Sequence, residues 1–270
     1  MAHPKLSEVI SALNQIYPEE LAADWDSVGL VVGNPDSTID RVFLTIDVTA
    51  ETVAQAIDER VSLIIAHHPL LYRGVTSVAE MNNKGKLIAQ LIRHEIALFT
   101  LHTNADAAPG GVSDALAAAV GLKSDQIQAI EPETGIGRIG NLDAPISAAD
   151  FVAQICQVLP TTNAPIRLAG NPEQLIRRVA VCGGAGDSLL PAVLQLDVDA
   201  FVTSDLRHHV ASEFVADTDC ALIDIPHWAG EWPWLDWLAG DLSELFADKV
   251  TVIVSKIPTD PWSLSIARSN

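Results

Sequence analysis

Short apolar runs alternate with helical stretches along most of this chain, and this alternation constrains the fold more than any other feature of the sequence. The runs are rich in Val, Ile and Leu and have the length of strands. They are Val42–Ile46, Leu63–Ala66, Ala97–Leu101, Val179–Val181, Ala200–Thr203, Ala221–Ile225 and Val250–Val254. Strands that are apolar on both faces are typical of parallel sheets covered by helices. The sequence therefore predicts an α/β fold with mainly parallel sheets.

Helical periodicity fills the stretches between these runs, beginning with an amphipathic helix over Lys5–Ile16. Further helices are predicted over 50–60, 84–94, 111–120, 147–158, 187–196, 208–216 and 229–246. Both halves of the chain repeat the order strand, helix, strand ending in histidine, so we expect two similar α/β lobes, approximately 1–122 and 146–270. The segment 123–145 lacks a clear period and is predicted to join the lobes within one domain over 1–270, with no inserted domain.

Composition excludes several classes of protein. Apolar residues make up 49% of the chain and charged residues 19%, which is typical of a globular domain. No apolar run reaches the roughly 18–20 residues that span a bilayer, and no signal peptide is recognised at the N-terminus. Three cysteines without CxxC spacing suit a reducing compartment, so we expect a cytoplasmic protein. A net charge of −19 opposes broad binding to nucleic acid.

Two adjacent histidines, His67 and His68, directly follow the predicted strand Leu63–Ala66 in the segment LIIAHHPLLY. Pro69 has no backbone N–H and limits continuation of that strand. Ligands of open α/β sheets bind beyond the carboxyl ends of the strands, where these histidines would lie. Both imidazoles could therefore face one pocket, but a pair that only caps the edge of the core explains this segment at least as well.

A second strand that ends in histidine lies in LFTLHTNADAAPGG, where Asp106 follows His102 by four residues. Imidazole and carboxylate are mixed ligands that suit Zn, Mn, Fe or Ni better than Mg or Ca. Asp106 taken alone could instead brace a turn or cap the helix that begins near Gly110 and Gly111. We expect His102 to orient a ligand rather than to bind an ion itself.

The segment LIDIPHWAGEW places His227 and Glu231 four residues apart at the start of a predicted helix. That spacing puts the imidazole and the carboxylate on one face of the helix. A glutamate can bridge two ions, which would then lie ~3.5–4 Å apart and could activate a water and polarise a substrate oxygen together. The alternative is an exposed pair of side chains that binds no ion.

A fourth segment, FVTSDLRHHVA, has Asp205 directly after a strand and His208 and His209 in the next turn. These histidines could act as a general acid or base, or merely begin a polar helix.

The glycine-rich turn VCGGAGDSL (181–189) lacks the lysine of a P-loop and could receive an anion or be only a tight turn. Since most of the eight histidines fall at strand ends, the residues together favour a metal site.

Sequence blocks spread over nearly the whole chain resemble the Nif-three-like dinuclear-metal proteins, which are often called GTP cyclohydrolase type 2 homologues. In chain order the blocks are WDSVGLVVG (25–33), LTIDVT (44–49), LIIAHHPLL (63–71), HTNADAAPGGVSDALA (102–117), GIGRIG (135–140), VAVCGGAGD (179–187), TSDLRHH (203–209) and HWAGE (227–231). The chain resembles the compact form of that family, which has no inserted domain.

The resemblance implies two divalent metal ions (Zn, Fe, Mn or Ni) per subunit, bound at the carboxyl ends of strands between the two lobes. The implied ligands are His67, His68, Asp106, His227 and Glu231. It also implies that His102 lies in the pocket, and His209 matches a usual family histidine by its register. We expect these two to be catalytic as proton-transfer residues. Members of that family form toroidal homohexamers, so the resemblance implies a homohexamer here.

Two functions from different classes follow from the sequence. The first is a metal-dependent hydrolase that acts on a small polar or nucleotide-like substrate, with GTP named through the resemblance alone. The alternative is a metal-handling or chaperone-like binding protein without turnover. A scaffold for transcription proteins is a third idea, which rests on the family name only. No nucleic acid and no membrane is expected among the partners.

Overall fold

The structure, a computed structural model, describes residues 2–123 and 127–266. The helices are α1 Leu6–Ile16, α2 Ala50–Asp58, α3 Asn83–Arg93, α4 Thr103–Ala107, α5 Val112–Ala119, α6 Ala148–Val158, α7 Leu190–Val193, α8 His208–Asp217, α9 His227–Glu231 and α10 Pro233–Phe246. The strands are β1 Gly29–Val32, β2 Arg41–Thr45, β3 Leu63–Ala66, β4 Ala97–Thr100, β5 Arg138–Ser147, β6 Arg167–Ala169, β7 Leu175–Ala185, β8 Ala200–Ser204, β9 Ala221–Asp224 and β10 Thr251–Val254.

The predicted α/β fold with mainly parallel sheets is confirmed. Every predicted strand overlaps an observed one, although Val179–Val181 is only the middle of the longer β7. The helix predicted over 229–246 is two helices, α9 and α10, and the helix predicted over 187–196 is a 3₁₀ turn at Asp187–Leu189 followed by the short α7. Helix boundaries are set by local capping, which periodicity alone does not specify.

Three strands were not predicted, and each of them is antiparallel to its neighbour. These strands are β1, β5 and β6, which pair with β4, β7 and β9 respectively. Strands that are exposed on one face mix polar with apolar residues, so they lack the continuous apolar run of a buried parallel strand. The sequence RIGNLDAPIS of β5 is of this kind, since its second half contains exposed residues.

Contacts group the chain into two compact units, and the first consists of Met1–Ala108 and Leu235–Thr259. Its five-stranded sheet has the order β1-β4-β3-β2-β10, with only β1 antiparallel to its neighbour. Thr45, Ala66 and Thr100 are paired in register at the ends of β2, β3 and β4. Because parallel strands end at one edge of a sheet, the residues that follow these three strands lie close together.

One face of this sheet is covered by α2 and α3. Phe43 of β2, Ile64 of β3 and Leu98 of β4 belong to one buried cluster with Val53 of α2 and Leu91 of α3. Burying such side chains contributes roughly 1.5–3 kcal/mol each relative to exposure. The strands that precede the histidine and aspartate segments are therefore held by a close-packed core, which limits movement of their ends.

The second unit consists of Pro109–Trp234 and Asp260–Asn270. Its sheet has the order β5-β7-β8-β9-β6, with β7, β8 and β9 parallel and the two edge strands antiparallel. A buried cluster that includes Ala180, Phe201 and Phe214 packs between this sheet and its helices. As in the first unit, three adjacent parallel strands end at one edge, so the residues that follow them lie close together.

The bounds of these units differ from those of the lobes predicted from the sequence. Residues 124–126 of the predicted joining segment 123–145 lie outside the described residues, as do 267–270 at the end of the second predicted lobe. Further along the joining segment, β5 begins at Arg138 and pairs with β7. The division into lobes at 123–145 therefore stays a prediction.

Among the described helices, none combines the length and the apolar character that crossing a membrane requires.

A largely buried ion pair holds the start of β5 in the second unit. The Arg138 guanidinium donates to both carboxylate oxygens of Asp114, at 2.7 and 2.8 Å, and to the carbonyls of Gly135 and Gly137. We predict that Arg138→Met lowers the free energy of unfolding by roughly 3 kcal/mol, because it leaves the largely buried carboxylate of Asp114 without its cation. Urea denaturation followed by circular dichroism measures the loss.

The matched control for this variant is Lys5→Met, which removes the cation of an exposed pair with Asp36. Exposed pairs contribute little to stability, so the urea midpoint of this variant is expected to stay close to that of the parent protein. Equal midpoints for the two variants would contradict a structural role of the Arg138–Asp114 pair.

Candidate metal centre

His67 and His68 extend the parallel hydrogen-bond pattern of the first unit beyond β3. Their backbone N–H groups donate to the carbonyls of Thr45 at 3.1 Å and Ile46 at 2.9 Å. Side chains of successive strand residues point to opposite faces. Here the strand has ended, and the centroids of the two imidazole rings lie 4.9 Å apart. The two rings are therefore neighbours beyond the end of the strand.

His102 joins the same group of rings. It lies two residues after β4, and its ring centroid is 5.1 Å from that of His67 and 5.6 Å from that of His68. One nitrogen from each of the three imidazoles can be chosen so that all lie within 4.8 Å of one another, which is close enough to hold an ion. The sequence placed His102 behind the ligands, whereas the structure places it among the rings that could bind.

Asp106 approaches this group from the first turn of α4. Its Oδ1 lies 3.7 Å from Nε2 of His67, and its backbone N–H donates to the carbonyl of His102. A carboxylate and three imidazoles are thus presented by the segments that follow two adjacent strands. This nitrogen and oxygen donor set suits Zn, Fe, Mn or Ni.

Hydrogen bonds from Nδ1 to oxygen acceptors orient the two adjacent imidazoles. Nδ1 of His67 lies 2.9 Å from the carbonyl of Leu101, which can only accept, so we assign the ring hydrogen to Nδ1. Nδ1 of His68 lies 2.7 Å from Oδ1 of Asp47, whose other oxygen accepts from the hydroxyl of Thr259. With the hydrogen on Nδ1, the lone pair that an ion requires is on Nε2.

The third imidazole is held by a buried carboxylate. Nδ1 of His102 lies 2.8 Å from Oδ1 of Asp26, and Oδ2 of Asp26 accepts from the backbone N–H and the hydroxyl of Thr103 at 3.1 and 2.5 Å. Burial opposes ionisation of Asp26, but the hydrogen bonds from His102 and Thr103 outweigh it. The pKa of the Asp26 carboxyl therefore lies far below its ordinary value.

The second unit presents a smaller group on α9. Nδ1 of His227 lies 2.8 Å from Oδ2 of Asp205, and Nε2 of His227 lies 2.9 Å from Oε1 of Glu231. The negative charge of Glu231, opposed by burial, raises the pKa of His227 to about 11, and hydrogen bonds to Asp205 and Glu231 add to the effect. The predicted i,i+4 pair is therefore in contact, with its imidazole held by an aspartate.

Gly184 on β7 leaves space beside this pair. A Cβ at this position would lie 2.6 Å from Oε1 of Glu231 and 3.4 Å from Nε2 of His227, and the backbone has the positive φ of 68° that favours glycine. The glycine-rich turn noted in the sequence thus lies against two predicted ligand atoms. Space next to a nitrogen and an oxygen donor fits the binding of a metal ion.

Two predicted pocket residues lie apart from these groups. His208 and His209 occupy the first turn of α8, where both side chains are exposed and their rings are 5.2 Å apart. In the described part of the chain, the clusters of side chains close enough to hold an ion include neither of them. A catalytic role for His209 stays a prediction.

The orienting aspartates Asp26 and Asp47 were not singled out in the sequence. Asp26 is 76 residues from His102 and Asp47 is 21 residues from His68, so neither pair shows a local spacing. Both aspartates lie inside blocks that carry the family resemblance, WDSVGLVVG and LTIDVT, and that position was the available signal. Asp205 was noted, but its role as the partner of His227 was not.

Comparisons with known proteins agree with the predicted resemblance. The model of the Duf34/NIF3 (NGG1p interacting factor 3) family matches residues 4–261. A Streptomyces coelicolor protein named GTP cyclohydrolase 1 type 2 homolog is 45% identical over 273 residues, which cover 98% of this chain and 95% of that protein. A Clostridium perfringens protein of the same name is 30% identical, with 96% and 98% of the two chains covered.

Solved structures share the fold. A Bacillus cereus protein related to NIF3 has a TM-score of 0.89 and 22% identity, covering 98% of this chain and all (100%) of that one. A Staphylococcus aureus hypothetical protein has a TM-score of 0.88 and 29% identity, covering 97% and 100%. At 22% identity the likeness to the first of these structures is one of fold alone.

We predict that Asp47→Ala weakens the binding of divalent ions by roughly 10- to 100-fold, because His68 loses the acceptor that orients its ring. Asp47→Asn keeps an acceptor oxygen and is expected to have a smaller effect. Competition with a chelating dye measures both affinities. The control is Asp58→Ala, which removes an exposed carboxylate from α2. An affinity equal to that of this control would contradict the orienting role of Asp47.

A second variant tests the space beside Glu231. Gly184→Ala is expected to weaken ion binding about 10-fold or more, because the new methyl group displaces the carboxylate of Glu231, a predicted ligand. Gly110→Ala is the matched control, since Gly110 has a similar φ of 74° but no atom within 4 Å of an added Cβ. Both variants incur a similar backbone strain, of order 1–3 kcal/mol. Equal loss of ion affinity in the two would mean that strain alone is responsible.

Proposed function

Because the chain belongs to the Duf34/NIF3 family, we propose that it binds a dinuclear metal centre and acts as a metal-dependent hydrolase. The proposed substrate class is a small polar or nucleotide-like molecule. GTP is the named candidate, since relatives of this chain carry the name GTP cyclohydrolase 1 type 2 homolog.

One observation carries the proposal. Four imidazoles, each at or just beyond the end of a strand, have Nδ1 at 2.7–2.9 Å from an oxygen acceptor. They are His67, His68, His102 and His227. Histidine ligands of metals are typically held in this way, because the hydrogen bond sets the tautomer and the direction of the ring. A buried imidazole of any role needs an acceptor for its N–H, but four such rings at strand ends, each held through Nδ1 with Nε2 directed elsewhere, are typical of metal ligands.

We propose that His67, His68, Asp106, His227 and Glu231 supply the ligands for two divalent ions. Zn, Fe, Mn and Ni all accept this mixture of nitrogen and oxygen donors. When bound, such ions lower the pKa of a water and polarise a substrate oxygen, which is the chemistry of hydrolysis at neutral pH.

The protein residues around these ligands would handle the proton. We propose that His102 accepts or returns a proton at Nε2 while Asp26 holds its Nδ1 hydrogen. The hydrogen bonds from Thr103 keep the Asp26 carboxylate ionised, so it can stabilise a positively charged His102 ring after proton transfer. His209 is proposed as a second proton-transfer residue, on the register of its sequence block.

The family resemblance also supports a homohexamer in the cytoplasm. Because a net charge of −19 opposes binding to the phosphate backbone, no nucleic acid is proposed as a partner. Multi-angle light scattering of the purified protein measures the mass of the assembly, and a monomeric mass would contradict this part of the proposal.

Elemental analysis of the purified protein tests the metal centre. We expect two equivalents of metal per chain, falling to one or none in His68→Ala and in Glu231→Ala, because each variant removes a ligand. His94→Ala, which changes an exposed histidine at the end of α3, is expected to keep both equivalents. Unchanged metal content in the first two variants would refute the assigned ligands.

Turnover is tested on metal-reconstituted protein with GTP and with a panel of small phosphorylated and amide substrates. Hydrolysis that exceeds the rate of a Glu231→Ala control supports the enzyme, and no excess with GTP removes GTP as the substrate. Labile, stoichiometric metal with no hydrolysis across the panel would instead favour a metal-handling protein without turnover.

A further inference from the structure

An exposed pair of aromatic side chains lies next to the imidazoles of the first unit. Trp25 is 59% exposed and Tyr72 is 45% exposed, although large aromatic residues usually bury most of their surface. The two ring centroids are 5.9 Å apart, with the planes inclined by 63°. The Trp25 ring also lies 6.1 Å from the ring of His102, at 77°.

Both contacts of Trp25 are edge-to-face, so neither neighbour stacks flat on the indole. Since 59% of the residue is exposed, much of the indole surface is open to solvent. A flat aromatic face that is open to solvent and adjoins a candidate metal ligand suits a planar ring. Stacking on such a face is strong and tolerant of the identity of the ring.

Hydrogen bonds hold the residues next to Trp25, although its ring is exposed. Next to it, the Asp26 carboxylate is hydrogen-bonded to His102 and to the backbone and side chain of Thr103. Two residues earlier, the backbone N–H of Ala23 donates to the Thr103 hydroxyl at 2.9 Å, and the N–H of Asp26 donates to the carbonyl of Ala23. The same contacts that orient His102 therefore hold the backbone of Trp25, and a pre-formed site loses less entropy on binding.

Packing does not account for this tryptophan. Trp228 and Trp234 lie in the core, and Tyr17, the other tyrosine of the chain, is fully buried. Trp25 and Tyr72 bury far less surface, so neither contributes comparably to the core. Trp25 lies beside His102 and Tyr72 lies beside Trp25, which favours a role of this pair at the site itself.

We propose that Trp25 and Tyr72 form a stacking platform for a planar heteroaromatic ring of the substrate, next to the candidate metal centre. This inference rests on the proposed function, because it names the class of molecule on which the centre acts. The heteroaromatic ring lies against Trp25, and its substituents reach toward the imidazole of His102. Molecules with the same polar groups but no such ring are held less tightly.

Calorimetric titration with guanosine 5′-monophosphate and with ribose 5-phosphate tests the platform, because the second molecule keeps the sugar and phosphate but lacks the ring. We expect wild-type protein to bind the nucleotide at least tenfold more tightly. We expect Trp25→Leu to weaken binding of the nucleotide by about tenfold or more and so to remove that advantage. Binding of ribose 5-phosphate and the metal content are expected to stay unchanged. Trp25→Phe restores part of the advantage. Trp262→Leu, at a tryptophan that is 65% exposed, is the matched control and has no effect.

Three results would overturn the platform. The first is equal binding of the two molecules by wild-type protein, and the second is full nucleotide binding by Trp25→Leu. The third is a change in assembly mass in Trp25→Leu without a change in nucleotide affinity, which would assign the aromatic pair to contact with a second copy of the chain. Failure of the proposed function is recognised separately, as absence of bound metal or absence of hydrolysis, and the comparison of the two molecules can also be made on metal-free protein.

Discussion

The parallel register of β2, β3 and β4 is the constraint on which the candidate metal centre of the first unit depends. Its hydrogen bonds continue beyond the strands, from the N–H of His67 to Thr45, of His68 to Ile46 and of Leu101 to Ala66. A slip of one residue would turn every side chain of a strand to the opposite face. The ligand positions are thus set by the backbone of a packed sheet, which holds side chains more accurately than a free loop does.

Charge explains why so many aspartates and glutamates accompany these histidines. A buried carboxylate is costly unless a positive charge or several donors compensate for it. At Glu231 the compensation comes from His227, whose pKa is raised to about 11, and at Asp26 it comes from His102 and Thr103. Both groups therefore stabilise positive charge where the imidazoles are. A divalent ion carries more of that charge than one proton does, so the same arrangement favours metal binding.

The sequence could predict where the candidate ligands lie, because most of them follow continuous apolar runs, in which burial and the end of the strand are both visible. His67 and His68 are of this kind. Asp26 lacked such a signal, because its bond with His102 joins residues that are far apart in the chain. Asp47 directly follows the predicted strand Val42–Ile46, but its spacing from His68 did not indicate that the two side chains meet. The antiparallel strands β1, β5 and β6 were missed because partial exposure removes the apolar run. The position of His102 among the rings depends on side-chain geometry after the strand end, to which residue spacing is insensitive.

Burial separates the residues that would choose the ion from those that would choose the substrate. His67 and Glu231 lie in the core, held by strand ends and by neighbouring oxygens, so a change there affects folding and ion binding together. Trp25 and Tyr72 are exposed, and the backbone on either side of Trp25 is held by hydrogen bonds of Ala23 and Asp26. Changes of these two rings alter the surface that meets a substrate at little cost in stability. A fold of this kind can keep one metal chemistry while the substrate varies, since function depends on the site that the fold carries.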